Sequence, residues 1–240
     1  MTVTDVNVVK SAIFERPDDA NKGTLGSLLC VCGSYGMAGA AVMSAKGALR
    51  TGIGLAKCAL PRSIYPIVAQ TILESVYYPL SENADGRISK VNVPFLVSES
   101  CKSSATLVGC GLGVCDDTLK IVFSLIENSA TPLVLDADAL NCVAKQPEIL
   151  LRKKAPIIIT PHPGEMSRLT GLATPLVNAE RERVALDFAQ KYGVVTVLKG
   201  AGTVIASPNG KVLVNPTGNS GMATGGSGDV LAGMTASILA

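Results

Sequence analysis

The residues richest in chemistry stand near the end of the sequence, in Asn215-Pro-Thr-Gly-Asn-Ser-Gly-Met-Ala-Thr-Gly-Gly-Ser-Gly-Asp229. Four glycines fall within the eight residues 221–228, too many for a regular strand or helix, and beyond them Leu231, Met234 and Ile238 recur at helical spacing. The pattern predicts a loop that opens a helix. Gly225, Gly226 and Gly228 let the backbone aim its N–H groups at one point, where the positive end of a helix favours an anion such as a phosphate. Asp229 is then a carboxylate placed where electrostatics alone would not put one. Its simplest chemistry is that of a general base, taking the proton from a substrate hydroxyl while that oxygen attacks a phosphoryl group held on the N–H groups. The plainer alternative is a helix cap, a common task for aspartate.

Other polar or glycine-rich segments follow apolar, strand-like runs. They are Gly33-Ser-Tyr-Gly-Met-Ala-Gly39, Gly109-Cys-Gly-Leu-Gly113, Asp136-Ala-Asp-Ala-Leu-Asn141, Pro161-His-Pro-Gly-Glu165 and Lys199-Gly-Ala-Gly-Thr203. Ligand crevices of open α/β sheets lie at the carboxyl ends of strands, so these segments are candidates to line one site. The first lacks the Lys-Ser or Lys-Thr of a P-loop. The second has Val114 where a dinucleotide fingerprint needs glycine. Lys199 can offer three donors to phosphate oxygens, or be an ordinary surface lysine. His162, held between two prolines, can donate from its ring to a ligand, or be a loop histidine in water. Glu165 and Asp138 are candidates to hold a hydrated Mg²⁺.

These loops need elements to position them. The sequence predicts helices over Val6–Phe14, Ala40–Thr51, about Ile64–Gln70, Asp116–Asn128 and Ala179–Tyr192. It predicts strands over Ser27–Cys32, Gly54–Leu60, Ala105–Cys110, Thr131–Leu135, Pro156–Thr160 and Val194–Leu198. Glu74–Leu80 is a further segment without an assigned element. Val204–Ser207 and Lys211–Val214 flank an Asn-Gly that signals a hairpin, and Ser81–Arg87 is a polar surface loop. Forty-eight per cent hydrophobic residues with only four per cent aromatics give an aliphatic core. That composition suits an α/β fold, a mostly parallel sheet with helices on both faces, and 240 residues fit one domain. A net charge of +2 without a basic run argues against nucleic acid or an anionic membrane as partner. Seven cysteines without a C-x-x-C pair, and a sole histidine, read as reduced core residues rather than a metal centre. With neither a leader nor an apolar run of ~18 residues, the expectation is a cytoplasmic protein.

Gly33-Ser-Tyr-Gly-Met-Ala-Gly-Ala-Ala, Asp136-Ala-Asp-Ala-Leu-Asn, Thr160-Pro-His-Pro-Gly-Glu, Leu198-Lys-Gly-Ala-Gly-Thr and Asn215-Pro-Thr-Gly-Asn with Gly225-Gly-Ser-Gly-Asp-Val-Leu-Ala-Gly occur in this order along the chain. Together they resemble the ADP- or ATP-dependent NAD(P)H-hydrate dehydratases. The resemblance implies a ribokinase-like fold and repair of damaged nicotinamide cofactors. The S epimer of NAD(P)H hydrate is phosphorylated on its ring hydroxyl and then loses phosphate, a lyase reaction with kinase chemistry inside it. Carried over by motif, Asp229 is the base and Gly225, Gly226, Ser227 and Gly228 form the anion hole. Lys199, Gly200, Ala201, Gly202 and Thr203, with Gly228, contact the nucleotide. Ala40, Gly111, Gly113 and His162, with Asp229, contact the substrate. ADP or ATP is the co-substrate with Mg²⁺, and ADP is the leaning. A homo-oligomer and functional pairing with a separate NAD(P)H-hydrate epimerase are also implied. Members usually continue through further helices beyond the one Asp229 begins, so the expectation is a chain that is either a fragment or unusually short at Ala240, with Leu231, Met234 and Ile238 exposed unless a neighbouring subunit covers them. The alternatives are a vitamin-precursor kinase of the same fold, or a nucleotide-binding sensor without turnover.

Overall fold

The computed structural model describes residues 2–3 and 16–240, and the helix expected over Val6–Phe14 lies outside the described residues. The strands are β1 (Thr2–Val3), β2 (Ser27–Val31), β3 (Leu55–Pro61), β4 (Val76–Leu80), β5 (Ala105–Val108), β6 (Leu133–Leu135), β7 (Ile157–Ile159), β8 (Val195–Leu198), β9 (Thr203–Ala206) and β10 (Val212–Asn215). The α-helices are α1 (Ala38–Thr51), α2 (Tyr65–Thr71), α3 (Val93–Cys101), α4 (Asp116–Asn128), α5 (Asp138–Val143), α6 (Pro163–Thr170), α7 (Thr174–Ala179), α8 (Arg181–Tyr192) and α9 (Ser227–Leu239). The expected strands and helices fall within a few residues of these bounds. Helices α3, α5, α6 and α7 were not foreseen. Three of those four have at most eight residues, too few for a helical repeat to declare itself.

All ten strands form one sheet in the order β1-β10-β9-β8-β7-β6-β5-β2-β3-β4. Pairing is parallel except at β9, which runs antiparallel to both β8 and β10. The β9–β10 pair is the hairpin signalled by Asn209-Gly210. Alternate residues of the central strands face opposite layers, as a strand's two-residue period requires. Leu28, Cys30 and Cys32 join Ala45, Ala48, Ala232 and Ala236 beneath α1 and α9. Leu29 and Val31 join Ile121, Leu125, Leu140 and Phe188 beneath the helices of the other face. Helices therefore cover both faces, as the aliphatic composition implied.

From β2 the chain works outward to β4, then returns to lay β5 against the other side of β2. The loops after β2 and β5 thus part in opposite directions, leaving the crevice in which open α/β sheets bind ligands. Helix α9 closes this region by packing on α1 at very short range. A Cβ added to Gly233 would lie 2.0 Å from the Ser44 carbonyl oxygen, and one added to Gly47 would lie 2.7 Å from that of Val230. These two glycines let the backbones touch, which fixes where α9 begins.

Candidate active site

Helix α9 starts at the glycine loop. Gly226 adopts the left-handed conformation at φ 91 and no side chain caps the helix. Asp229 lies in the first turn without capping it, which removes the plainer explanation of that residue. Among the described residues, the N–H groups of Gly225, Gly226, Gly228 and Asp229 have no hydrogen-bond partner. The Ser227 hydroxyl, by contrast, is spent on the carbonyls of Met222 and Thr224 at 2.7 and 3.0 Å. Four free donors at the positive end of a thirteen-residue helix are a place for an anion.

Beside this loop lies a cation with a buried counter-charge. Lys199, at the end of β8, places Nζ 2.7 Å from Oδ1 of Asp136 and 3.8 Å from Oε2 of Glu165. Asp136 is 1 % exposed, and its Oδ1 also accepts from the Thr160 hydroxyl at 2.8 Å. A Cβ on Gly228 would come within 3.5 Å of Lys199 Nζ, so the ammonium flanks the open amides. The end of β8 is tied to the Pro161 loop by Lys199 N–H donating to the Pro161 carbonyl at 2.8 Å. Two motifs 38 residues apart in sequence thereby share one wall.

Asp229, Asp136 and Cys110 bring a ligand atom each within 4.8 Å of one another. Burial pushes the Asp229 carboxyl above its ordinary range, and the neighbouring Asp136 adds to the rise while Lys199 opposes it. A carboxylate held above its usual pKa is a better proton acceptor when ionised, which suits a base. Burial raises Glu165 too, with Lys199 opposing.

Several expected site residues are engaged with the protein itself. His162 caps α6: its Nδ1 accepts from the N–H groups of Gly164 and Glu165 at 3.0 and 3.4 Å. The neutral ring that this network implies carries its proton on Nε2, which lies 3.4 Å from Glu165 Oε1. Glu165 Oε2 completes the capping box by accepting from His162 N–H at 2.8 Å. Asp138 accepts from Gly113 N–H at 2.8 Å and from the Asn141 amide at 3.3 Å. Glu165 and Asp138, the pair proposed from sequence to hold a hydrated cation, are therefore both turned to protein donors. Asp136 keeps Oδ2 clear of Lys199 and Thr160, with only the weakly donating Cys110 thiol at 3.8 Å. A magnesium ion, which keeps most of its water beside phosphates, fits Asp136 better, and the Cys110 sulfur is too soft a ligand for it.

The remaining candidates line the approaches. Ala40 is buried and would meet a Cβ on Gly111 at 2.7 Å, so this pair joins the β2 and β5 loops and the Ala40 side chain has little left to present. The Ser81–Arg87 loop lies at the surface, with none of its residues buried, and is tied to the crevice. Tyr35 N–H donates to the Gly86 carbonyl at 2.9 Å, and the Arg87 side chain lies over Gly113, taking the space a Cβ would need. Ala201 and Gly202 border a cavity of about 600 Å³ next to the Lys199 turn, and Thr203 Oγ1 donates to the Gly200 carbonyl at 3.0 Å. The sequence marks Asp136 only as part of a segment with carboxylates at the carboxyl end of a strand, and Cys110 only as a core cysteine inside the Gly109–Gly113 segment; neither receives a role of its own from it.

A family model described as NAD(P)H-hydrate dehydratase matches residues 28–240. The "Bifunctional NAD(P)H-hydrate repair enzyme Nnr" of Thermofilum pendens is 41% identical over 223 residues, 93% of this chain and 43% of that protein. The chain spans less than half the length of such bifunctional relatives. The "ADP-dependent (S)-NAD(P)H-hydrate dehydratase" of Neisseria meningitidis is 35% identical over 94% of this chain and 73% of that protein. Among solved structures, an ADP/ATP-dependent NAD(P)H-hydrate dehydratase from Bacillus subtilis, co-crystallised with ATP and Mg²⁺, superposes with a TM-score of 0.84. It is 31% identical, and the match covers 99% of this chain and 80% of that one. A ribokinase-like protein of Enterococcus faecalis, at 23% identity and a TM-score of 0.83, shares the fold.

Proposed function

The chain belongs to the NAD(P)H-hydrate dehydratase family, and from that premise we propose that it dehydrates the S epimer of NAD(P)H hydrate at the expense of ADP or ATP. The observation that carries the reading is the set of unpartnered N–H groups at Gly225, Gly226, Gly228 and Asp229, flanked by Lys199 and by a carboxylate whose pKa is raised. A site that only bound phosphate would gain nothing from that carboxylate.

In this reading the terminal phosphate of the nucleotide lies on the four free N–H groups, with Lys199 as a movable cation between Asp136 and the phosphate oxygens. Asp229 takes the proton from the ring hydroxyl as its oxygen bonds to phosphorus, and the nucleotide leaves with the bridging oxygen. Loss of the new phosphate from its ring carbon together with a proton from the neighbouring carbon then restores the ring double bond and gives NAD(P)H. The fixed amides meet charge that grows in the transition state without having to reorient, the most effective form of electrostatic catalysis. Mg²⁺, when bound, would neutralise part of the phosphate charge, and Asp136 is the residue that would hold it through water. The cavity beside Ala201 and Gly202 would take the nucleoside end. Supply of the S epimer by a separate epimerase, cytoplasmic residence and self-association belong to the same proposal. Among the described residues, no helix is long and apolar enough to cross a membrane.

The test is a nicotinamide absorbance assay with NADH hydrate, Mg²⁺ and either ADP or ATP. Recovery of the reduced-nicotinamide band with one phosphate released per turnover is expected, with ADP the better donor. A flat trace from folded, nucleotide-binding protein would sink the dehydratase, and a phosphorylated product that keeps its phosphate would make the enzyme a kinase. Asp229→Asn should bind ADP normally and lose about 10²–10⁴ in rate, the usual share of a general base.

A further inference from the structure

Arg181 opens α8 and reaches under the Lys199–Thr203 turn. Its Nη2 donates to the Leu198 carbonyl at 2.8 Å and to the Lys199 carbonyl at 3.2 Å. Gly200, directly above, has a φ of +146, and an added Cβ would lie 3.0 Å from both terminal guanidinium nitrogens. The turn is thus closed onto the guanidinium with no room for a side chain between them.

The charge on Arg181 has no counter-ion. Among the described residues it forms no ion pair, and its neighbour Glu180 is engaged by Arg183. Its Nε is buried without a hydrogen-bond partner, and burial lowers its pKa. Arg181 also borders the cavity shared with Ala201 and Gly202. A half-buried guanidinium that braces two neutral carbonyls is costly for a merely packed residue, since one neutral donor could serve each carbonyl. Its planar, forked donors hold successive carbonyls in a fixed relation that a flexible ammonium does not.

We infer that Arg181 is the positioning residue of the Lys199 turn. By fixing the carbonyls of Leu198 and Lys199, it sets the direction in which Lys199 leaves β8, with its ammonium on Asp136 and beside Gly228. It touches no reacting atom. Its effect on turnover passes through Lys199, so it should govern the nucleotide and leave the second substrate alone. This part rests on the nucleotide reading above; the bracing of the turn does not.

The experiment compares Arg181→Ala and Arg181→Lys with the wild type. Amide hydrogen exchange at residues 199–203 is followed in the unliganded protein, and KM is measured for ADP and for NADH hydrate. In Arg181→Ala, exchange in the turn should rise about tenfold and KM for ADP about tenfold, with KM for the hydrate within about twofold. Arg181→Lys should fall between. A folded Arg181→Ala with wild-type exchange, or with raised exchange and unchanged KM for ADP, overturns the inference, the latter showing a structural brace only. Should Arg181→Ala not fold, Arg181→Lys decides by the same two readouts. Should the wild type neither bind ADP nor regenerate NADH, the dehydratase reading fails by itself, and exchange alone decides whether Arg181 positions the turn.

Discussion

Asp229 carries opposed demands, and both can be measured. Desolvation raises its pKa, so below the ordinary carboxylate range the folded and unfolded chains are both protonated and its burial costs nothing. As pH rises, the unfolded chain ionises first, and stability is lost until the folded group ionises as well. Asp229→Asn removes this penalty. Its melting temperature should exceed the wild type's at pH 7 and converge with it below about pH 4, where the wild-type carboxyl is protonated in both states. Activity runs the other way, because the base must be ionised. The acid limb of the wild-type rate should fall at a pH above the ordinary carboxylate range. Coincident melting curves at pH 7 would argue that the carboxylate is not strained by burial. The Asp136–Lys199 pair makes a second case, since Asp136 is almost wholly enclosed. Asp136→Ala strands the ammonium with only Glu165 nearby, and a loss of about 3–5 kcal/mol in urea unfolding is expected, as for other broken buried pairs.

At the scale of elements, the site depends on how closely α9 lies against α1. Gly233 stands one turn beyond Asp229, and its missing side chain is what admits the Ser44 carbonyl. Gly233→Ala must push the helices apart. We expect a loss of about 1–3 kcal/mol, the ordinary cost of overpacking, together with a lower rate because the loop that carries Asp229 moves with the helix. Gly39→Ala, in the first turn of α1, is the control for stability, since nothing lies within 4 Å of the Cβ it would add. A Gly233→Ala protein as active and stable as wild type would show that α9 can be displaced without consequence. The same logic explains the composition of α1, whose inner face is Ala40, Ala41, Ser44, Ala45, Gly47 and Ala48. Small side chains there serve the close approach of α9.

Taken whole, the molecule gathers loops from β2, β5, β6, β7 and β8 at the carboxyl ends of the parallel strands, and the first residues of α9 meet them there. A ligand bound among so many elements should stabilise all of them together. ADP at about 100 times its Kd should add about 2.7 kcal/mol, raising the melting temperature by roughly 5–10 °C for a chain of this size. Asp229→Asn should keep that shift, whereas Lys199→Met should lose most of it. An unchanged melting temperature with ADP would remove the nucleotide from the proposal.

The sequence determined by itself whatever depends on neighbours along the chain. Periodicity and turn residues placed the main strands and helices and the β9–β10 hairpin. Glycine spacing before an apolar helix marked the anion loop, and five motifs in order marked the family. Tertiary structure alone decided which side chains of those motifs meet. Asp136 rather than Asp138 faces Lys199, because Asp138 is taken by the amide of Gly113, 25 residues away. His162 is the exception: it caps α6 through the N–H groups of Gly164 and Glu165, two and three residues on, a local contact that residue type did not signal because histidine is not among the usual capping residues. Cys110 and Arg181 carried no local signal at all: each matters through groups delivered by a different strand or helix, and contacts between distant segments leave no periodicity for a sequence to display.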